Sequence, residues 1–522
     1  MSVVEEQSTR RGRGGSRRQR GGSAAAERPH LEVPYITRNI PPYEILDEEN
    51  LIKIEKTADR ILAEVGIEIH GDDEAIRLFT EAGAKAMHVA DSKYNLTFEP
   101  GMLREILKTA PEVFEQASRN PANRVKIGGR YSVMAPSYGS PFVMDMDKGR
   151  RYGTLDDFQN FIKLAQSSPW FHHSGGTVCE PTDIPVNKRH LDMVYSHMKY
   201  SDRPFLGTVM KAEQAQDNID MCKILFGADF VDQNTVIMGN VNVNSPLVWD
   251  GEVTKVIRTY AAAGQGTVIV PFIMGGAMGP MAMPGAVAQT LAETMVGCAL
   301  TQLVRPGVPT IFGSFLSSMS LRNGSPTFGT PEPALGSLVI GQLARRLKLP
   351  LRCAGNFSTS KEPDAQAMVQ GTISYMSAVQ SGGNFMLHSA GFLDGLLSMS
   401  YEKFVMDADL CGAMHGYMNG ITVNENSLAF EAIKEVGPAH HFLDCQHTMQ
   451  NYKTAYWESR LNDDRPFETW DETGRVNALT RATESWKKTL GEYEAPALDI
   501  AKDQELQEFI KLKKESMPDA WH

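Results

Sequence analysis

Eight short apolar segments, each followed by a longer helical one, run from residue 131 to residue 414, and no other property of this chain restricts its fold as much. The strand-like segments are 131–137, 171–179, 204–210, 235–243, 267–275, 309–317, 350–358 and 383–390. The helical windows are 154–167, 186–199, 212–226, 250–263, 284–304, 331–347, 363–380 and 401–414. Start signals mark several of these helices. Thr154 stands three residues before Asp157 as an N-cap, and Thr330-Pro331-Glu332 supplies a cap, a proline at the first helical position and an acid in the first turn. Eight strand–helix units in a row predict an α/β fold, a (β/α)8 TIM barrel. An open doubly wound sheet would carry a glycine-rich phosphate fingerprint after its first strand, and the sequence has none.

The flanks read differently. Residues 1–40 form an Arg/Gly-rich tail expected to be disordered, 41–130 a helical N-terminal cap, 131–420 the barrel and 421–522 a helical C-terminal extension. In "DEENLIKIEKTADRILAEVG", Leu51, Ile54, Ala58, Ile61 and Leu62 recur along one helical face, with Gly66 as a stop. A helix at 427–436 is closed by Gly437-Pro438. The tail holds Arg10, Arg11, Arg13, Arg17, Arg18 and Arg20, and residues 1–28 contribute +4 to a net charge of −11. An Arg/Gly tail can bind RNA or an acidic partner, or can simply be solvated. The acidic remainder argues against nucleic acid as the main ligand. Six scattered cysteines fit a reducing compartment, and no apolar run is long enough to span a bilayer, so the expected location is the cytoplasm.

In a barrel the chemistry sits where the strands end. The residues there are Tyr138, Thr177, Met210, Asn242, Asn244, Met274, Ser314, Asn356 and His388. That rim is poor in paired carboxylates and so in acid–base dyads. In "GGNFMLHSAGF" a buried strand ends on His388 with Phe392 just beyond it, and a hydrogen-bonded core histidine is the plain alternative to a functional one. "MGGAMGPMAMPG" (274–285) lacks the polar help a phosphate cradle needs; it suits close approach of a flat, bulky ligand, or gap filling by methionine. Phe328, in "SPTFGTPEP", is not required by the turn and cap around it. Lys361 stands in the loop before the 363–380 helix, where a solvated lysine is the ordinary reading. No metal site is assigned: His172, His173 and Cys179, and the group His440, His441, Cys445 and His447, have suitable side chains without a standard ligand spacing.

"RNGSPTFGTPEP", "GQLARRLKLPLR", "DAQA" and "LHSAGFLDGLLSMSYEKFVMDADL", with "HHFLDCQHT", "YWESRL" and "DRPFETW" downstream, resemble the trimethylamine methyltransferase superfamily over residues 40–490. Only standard residues are present, so the chain is similar to the non-pyrrolysine branch, which includes glycine betaine:corrinoid methyltransferases. Where family members commonly have Trp and Glu in "AGWLEGG", this chain has Phe392 and Asp394. The resemblance implies methyl transfer from a quaternary or tertiary methylamine to Co(I) of a corrinoid (cobamide) held by a separate carrier protein.

On that reading His388 is the expected catalytic residue, and Phe328 and Phe392 offer faces to the cation. Asn356 and Lys361, with His388, meet a substrate carboxylate or the polar edge of the corrinoid, while Met274, Gly275 and Gly276 admit the macrocycle. The expected partners are the corrinoid carrier, a small methylated amine and a second copy of the chain, with no membrane. Two alternatives stay open: a barrel enzyme of the same superfamily with another methyl acceptor, and an RNA- or protein-binding scaffold acting through the tail.

Overall fold

Apolar runs bounded by glycine and followed by capped helices favour parallel pairing, because each crossover can carry its helix over the face of the sheet. In the computed structural model, which describes residues 33–207 and 210–521, seven of the expected strands form. They are β1 (Tyr131–Met134), β2 (Phe205–Gly207), β3 (Ile237–Val243), β4 (Gly266–Met274), β5 (Thr310–Gly313), β6 (Leu351–Arg352) and β7 (Phe385–Met386). They lie in the order β2-β3-β4-β5-β6-β7-β1, every neighbouring pair parallel. The last strand therefore rests on the first, with Phe385 opposite Val133 and Met386 opposite Met134. All eight helical windows are filled: α1 (Leu155–Ser167), α2 (Arg189–Tyr200), α3 (Ala212–Phe226), α4 (Gly251–Ala262), α5 (Met283–Val304), α6 (Pro331–Arg346), α7 (Ala365–Gln380) and α8 (Tyr401–Asn419). The Thr154–Asp157 capping box at α1 is present.

The expected strand at 171–179 does not form. Gly175 takes φ 95°, and a Cβ on Gly176 would fall 2.8 Å from the Tyr138 ring, so the chain kinks where a ladder needs it extended. Single bonds reach each neighbour instead. The His172 N–H donates to Met134 O (3.2 Å), the Ser174 N–H to Pro204 O (2.9 Å), and the Leu206 N–H to Gly175 O (2.8 Å). Among the described residues no continuous ladder closes β1 to β2, so the observed architecture is a mixed α/β fold in which no closed barrel is detected.

The flanks bring further differences. Within 41–130, the helix Glu48–Arg60 forms as expected, but Ile67–His70, Lys93–Thr97 and Lys85–Ala90 make a sheet with Val248–Asp250. Ile67 and Ile69 point inward while Glu68 and His70 are more open, which is a strand period rather than a helical one. The Arg10–Arg20 leader lies outside the described residues; of the rest of the 1–40 segment, Ile36–Thr37 pairs with β1. The expected helix at 427–436 breaks at Ala429, whose φ is 51°, into Glu425–Leu428 and Phe430–Val436. Further on, Ala478–Gly491 packs on α8 and α1, and Ile500–Glu515 on α3 and α2. No helix among the described residues is long and apolar enough to cross a membrane.

Buried polar groups hold these layers in register. The Arg203 guanidinium donates to the carbonyls of Ala165 (2.5 Å), Gln166 (2.8 Å), Ser168 (2.9 Å) and Phe171 (2.7 Å), tying the end of α1 to the kinked segment. Next to it lie histidines kept neutral by burial. His172 Nδ1 accepts from the Met134 N–H (3.2 Å), so its proton is on Nε2, which meets Pro34 O at 3.0 Å. Its ring stacks on His415 at 5.0 Å. His197 Nε2 donates to Gly176 O at 2.8 Å. Desolvation holds His197 and His415 at about 4, and pushes His172 and His173 well below their ordinary range.

These histidines should make the fold acid-labile. An unfolded histidine takes up a proton near pH 6.5, the folded His197 and His415 only near 4. Between those values the unfolded chain binds more protons, so stability falls as pH falls. By pH 5 each such histidine costs about 2 kcal/mol. Denaturant melts at stepped pH should show a steep loss of stability below about pH 6.5. His197→Gln should flatten that slope, and a flat profile in the parent protein would contradict the assignment of neutral histidines.

Candidate active site

Strand β7 delivers its last side chains into a tight turn. His388, just past its end, takes φ 65°, a left-handed backbone that costs a non-glycine residue about 1–3 kcal/mol. The surroundings hold it there. The Asn356 N–H donates to His388 O (2.9 Å), and Asn356 Nδ2 donates to Ser389 O (2.5 Å). Tyr375 donates its hydroxyl to Ser389 Oγ at 3.0 Å, and the His388 N–H reaches Pro136 O at 3.2 Å. At the far side of the turn the Gly391 N–H donates to Asp407 Oδ2 (2.9 Å), and Asp407 Oδ1 is paired with Lys403. Both members of that pair, one helical turn apart on α8, are fully buried. Burial raises the Asp407 carboxyl to about 6 even against the opposing pull of Lys403.

The turn presents a defined imidazole. His388 Nδ1 accepts from the Tyr138 N–H (3.1 Å) and lies 3.0 Å from Ser137 Oγ, which leaves the proton on Nε2. Burial, helped by the positive field of Arg352, keeps the ring neutral with a pKa well below the ordinary range. Around it stand four phenylalanine rings. Phe315, Phe357 and Phe392 have centroids 5.5, 5.5 and 5.7 Å from the imidazole. Phe328 joins them at 5.4 Å from Phe392 and 5.2 Å from Phe357. All five residues are buried. Behind Phe315 lies Arg352, its guanidinium 5.3 Å from the ring centroid and bonded to Ser314 O at 2.6 Å. Arg352 Nε has no protein partner, and burial lowers its pKa to about 10.

Tyr138 joins this cluster to open space. A cavity of about 450 Å³ at the C-terminal ends of β2 and β3 is lined by Tyr138, Thr177, Met210, Asn240, Asn242 and Asn244, among others. Its polar wall includes Glu180 paired with Arg189 (2.7 Å) and His190 paired with Asp217 (3.0 Å). The main chain of Tyr138 holds His388, and Tyr138 also lines the cavity, so the two share a wall.

Of the residues singled out in the sequence, the structure brings His388, Phe328, Phe392 and Asn356 together. Asn356 spends its amide on the turn, and its Oδ1 has no protein partner. Lys361 lies outside this buried group: it is exposed, donates to Thr359 O (2.6 Å) and sits 3.3 Å from Asp394. Met274, Gly275 and Gly276 form a separate lip. The Gly275 N–H donates to Ser317 O (2.9 Å), and Gly276 is exposed between the Met281 and Met319 side chains. Among the described residues no three His, Cys, Asp or Glu side chains gather as a metal set. Sequence reasoning missed Phe315, Phe357, Arg352, Lys403 and Asp407. The two phenylalanines carried a usable signal, since both lie in predicted strand segments one residue beyond the rim positions Ser314 and Asn356.

Comparison with known proteins gives one consistent group. A family model described as trimethylamine methyltransferase (MTTB) matches residues 10–518. The glycine betaine methyltransferase of Desulfitobacterium hafniense (strain Y51) is 39% identical over 472 residues, covering 90% of this chain and 97% of that protein. The proline betaine:corrinoid methyltransferase of Eubacterium limosum is 29% identical, covering 85% and 92%. The trimethylamine methyltransferase of Methanosarcina barkeri (strain Fusaro / DSM 804) is 27% identical, covering 85% and 90%. Among solved structures, the monomethylamine methyltransferase of Methanosarcina barkeri superposes with a TM-score of 0.51 at 11% identity, covering 87% of this chain and 90% of that one. That last likeness is one of fold.

The buried pair behind the turn makes a stability prediction. Asp407→Ala leaves the buried Lys403 without its partner and should cost about 3–5 kcal/mol. The double variant Lys403→Met, Asp407→Leu should recover most of that loss. Urea denaturation measures both; equal loss in single and double variants would mean that the two side chains do not act as a pair.

Proposed function

Because this chain belongs to the trimethylamine methyltransferase family, we propose that it moves a methyl group from a betaine-like quaternary amine to Co(I) of a corrinoid on a separate carrier protein. It is a methyltransferase, and the corrinoid enters as the second substrate rather than as a resident group. The observation that supports this reading best is a neutral imidazole set among four phenylalanine rings at a strand end. Among the described residues its only side-chain hydrogen-bond partners are Ser137 Oγ and the Tyr138 N–H. Such a site is poorly equipped to move protons. Displacement at the methyl carbon does not ask it to: the new bond forms to cobalt, the C–N bond breaks, and its electron pair stays on nitrogen. A quaternary ammonium thus leaves as a neutral tertiary amine with no proton supplied. What remains for the protein is to aim the methyl group and keep water away.

The roles follow from position. The ammonium sits on the cavity side of Tyr138, and the buried rings of Phe328 and Phe392 draw it toward the cluster. The substrate carboxylate takes the Nε2–H of His388, so that imidazole fixes the pose. Asn356 acts through the turn that carries His388. Lys361 adds positive charge at the exposed edge, and the Met274–Gly276 lip receives the flat macrocycle. Arg352 biases the choice of substrate. Its buried charge repels a bare cation and attracts a carboxylate, so a zwitterionic betaine, neutral overall, is favoured over trimethylammonium. Architecture fits the same picture: with residues 171–176 as an irregular second strand between β1 and β2, the seven parallel strands become a closed (β/α)8 barrel. Six buried free cysteines suit a cytoplasmic enzyme.

Methyl transfer to free Co(I) cobalamin with a panel of betaines and methylamines tests the activity. Methylcobalamin should form with glycine betaine or a close analogue, and its absence across the panel would sink the proposal. Arg352→Met should raise KM for the betaine by about tenfold or more while sparing tetramethylammonium. An equal loss for both substrates would reduce Arg352 to a packing role. Phe392→Ala should weaken both substrates alike, by about 1–2 kcal/mol.

A further inference from the structure

Residues 421–458 form an arm that this chain does not cover. Of these residues only Ala432 and Cys445 are buried. The exposed apolar side chains include Ile421 (93%), Val423 (71%), Leu443 (78%) and Tyr456 (85%). Phe430 and Ile433, exposed by 65% and 53%, lie three residues apart on the helix Phe430–Val436. Taking roughly 150–250 Å² for each aromatic and somewhat less for each aliphatic, the arm exposes about 1,000 Å² of apolar surface. A monomer's largest apolar patch is about 300–600 Å², whereas each side of a stable protein interface buries about 800 Å².

The arm is built rather than loose. At its base the Asn39 N–H donates to Met418 O (2.8 Å), and on its return the Arg460 N–H donates to Asp409 Oδ1 (2.8 Å). Within it Asn426 Nδ2 donates to Asn451 Oδ1 (2.8 Å), and His447 Nε2 donates to Asn426 O (2.7 Å). Its position narrows the occupant. It leaves the end of α8 beside Asn39, and Asn39 lines a cavity shared with Gly382 and Leu349, which precede β7 and β6. The arm therefore departs from the N-terminal ends of the strands. Methyl transfer takes place at their C-terminal ends, where a corrinoid carrier must dock. With Glu425, Glu431, Glu435 and Asp444 along it, the arm also suits neither nucleic acid nor an anionic membrane.

We propose that residues 421–458 are an association arm covered by a second copy of this chain, with Phe430 and Ile433 among its anchoring contacts. The choice of occupant rests on the methyl-transfer reading, whereas self-association is measured without substrate, so the two fail separately.

Sedimentation equilibrium of the full chain tests it. The wild type should associate at micromolar concentration, and Phe430→Ser with Ile433→Ser should weaken that association by about a hundredfold. Both side chains are exposed in the single chain, so circular dichroism should be unchanged, and melting should fall only by the stabilisation that association itself supplies. Leu443→Ser with Tyr456→Ser, at a separate point on the arm, should act in the same direction. Hydrogen exchange should show 421–458 protected in the wild type and released in the variants. A monomeric wild type, a variant that associates as tightly as the wild type, or an arm that exchanges freely would each overturn the proposal. So would a monomer whose variants lose only carrier-dependent turnover, since that outcome gives the arm to the carrier.

Discussion

A single desolvated ion pair sets the geometry of the site. Lys403 and Asp407 are wholly removed from solvent on α8, and the second oxygen of Asp407 accepts the Gly391 N–H. An unpaired carboxylate there would take a proton, because burial raises its pKa to about 6 even beside the lysine. The pair therefore keeps an acceptor aimed at one backbone N–H, and that N–H fixes where the chain turns. Behind Gly391 the turn runs back to His388 in its left-handed conformation, and ahead of it to Phe392. One buried pair thus sets the imidazole and one of the rings that face it, while Asn356 holds the intervening carbonyls from the other side.

Long-range order was written plainly in the sequence where it depends on periodicity. The helices α1 to α8 follow from apolar spacing and capping residues, and seven strands follow from glycine-bounded apolar runs. The segment at 171–179 failed as a strand because periodicity cannot weigh a backbone kink: Gly175 needs a positive φ, and Gly176 is pressed by Tyr138. In the N-terminal region a strong helix at Glu48–Arg60 drew attention from the "IEIH" alternation beside it, which is the clearer signal of a strand.

The site was legible only as far as its outline. His388, Phe328 and Phe392 stood out because a strand end and a loop had no structural need of them. Lys403 and Asp407 gave no such sign, since an i,i+4 Lys–Asp pair on a helix reads as an ordinary solvated pair, and only tertiary packing buries it. Arg352 was hidden for the same reason, lying inside a motif already explained by a strand. Phe315 and Phe357 look like core residues and are core residues; what matters is that their edges converge on one imidazole. Convergence between strands far apart in the chain has no local signature.

The charges of this site are arranged one layer back, and the chemistry explains why. A carboxylate touching the ammonium would bind the substrate well, but the positive charge on nitrogen fades as the C–N bond breaks. Such a group would stabilise the ground state more than the transition state and so slow the step. Ring faces attract the cation more weakly and over a broader area, and lose less as its charge disperses. In the proposed pose an imidazole kept neutral by burial, its Nδ1 taken by the Tyr138 N–H, would add a donor for a carboxylate without adding a competing cation. Arg352 would act through Phe315, whose ring centroid lies 5.3 Å from its guanidinium, and would favour a substrate that brings its own negative charge. A wall without a carboxylate against the ammonium therefore suits this reaction, and the buried Lys403–Asp407 pair behind it holds that wall in place.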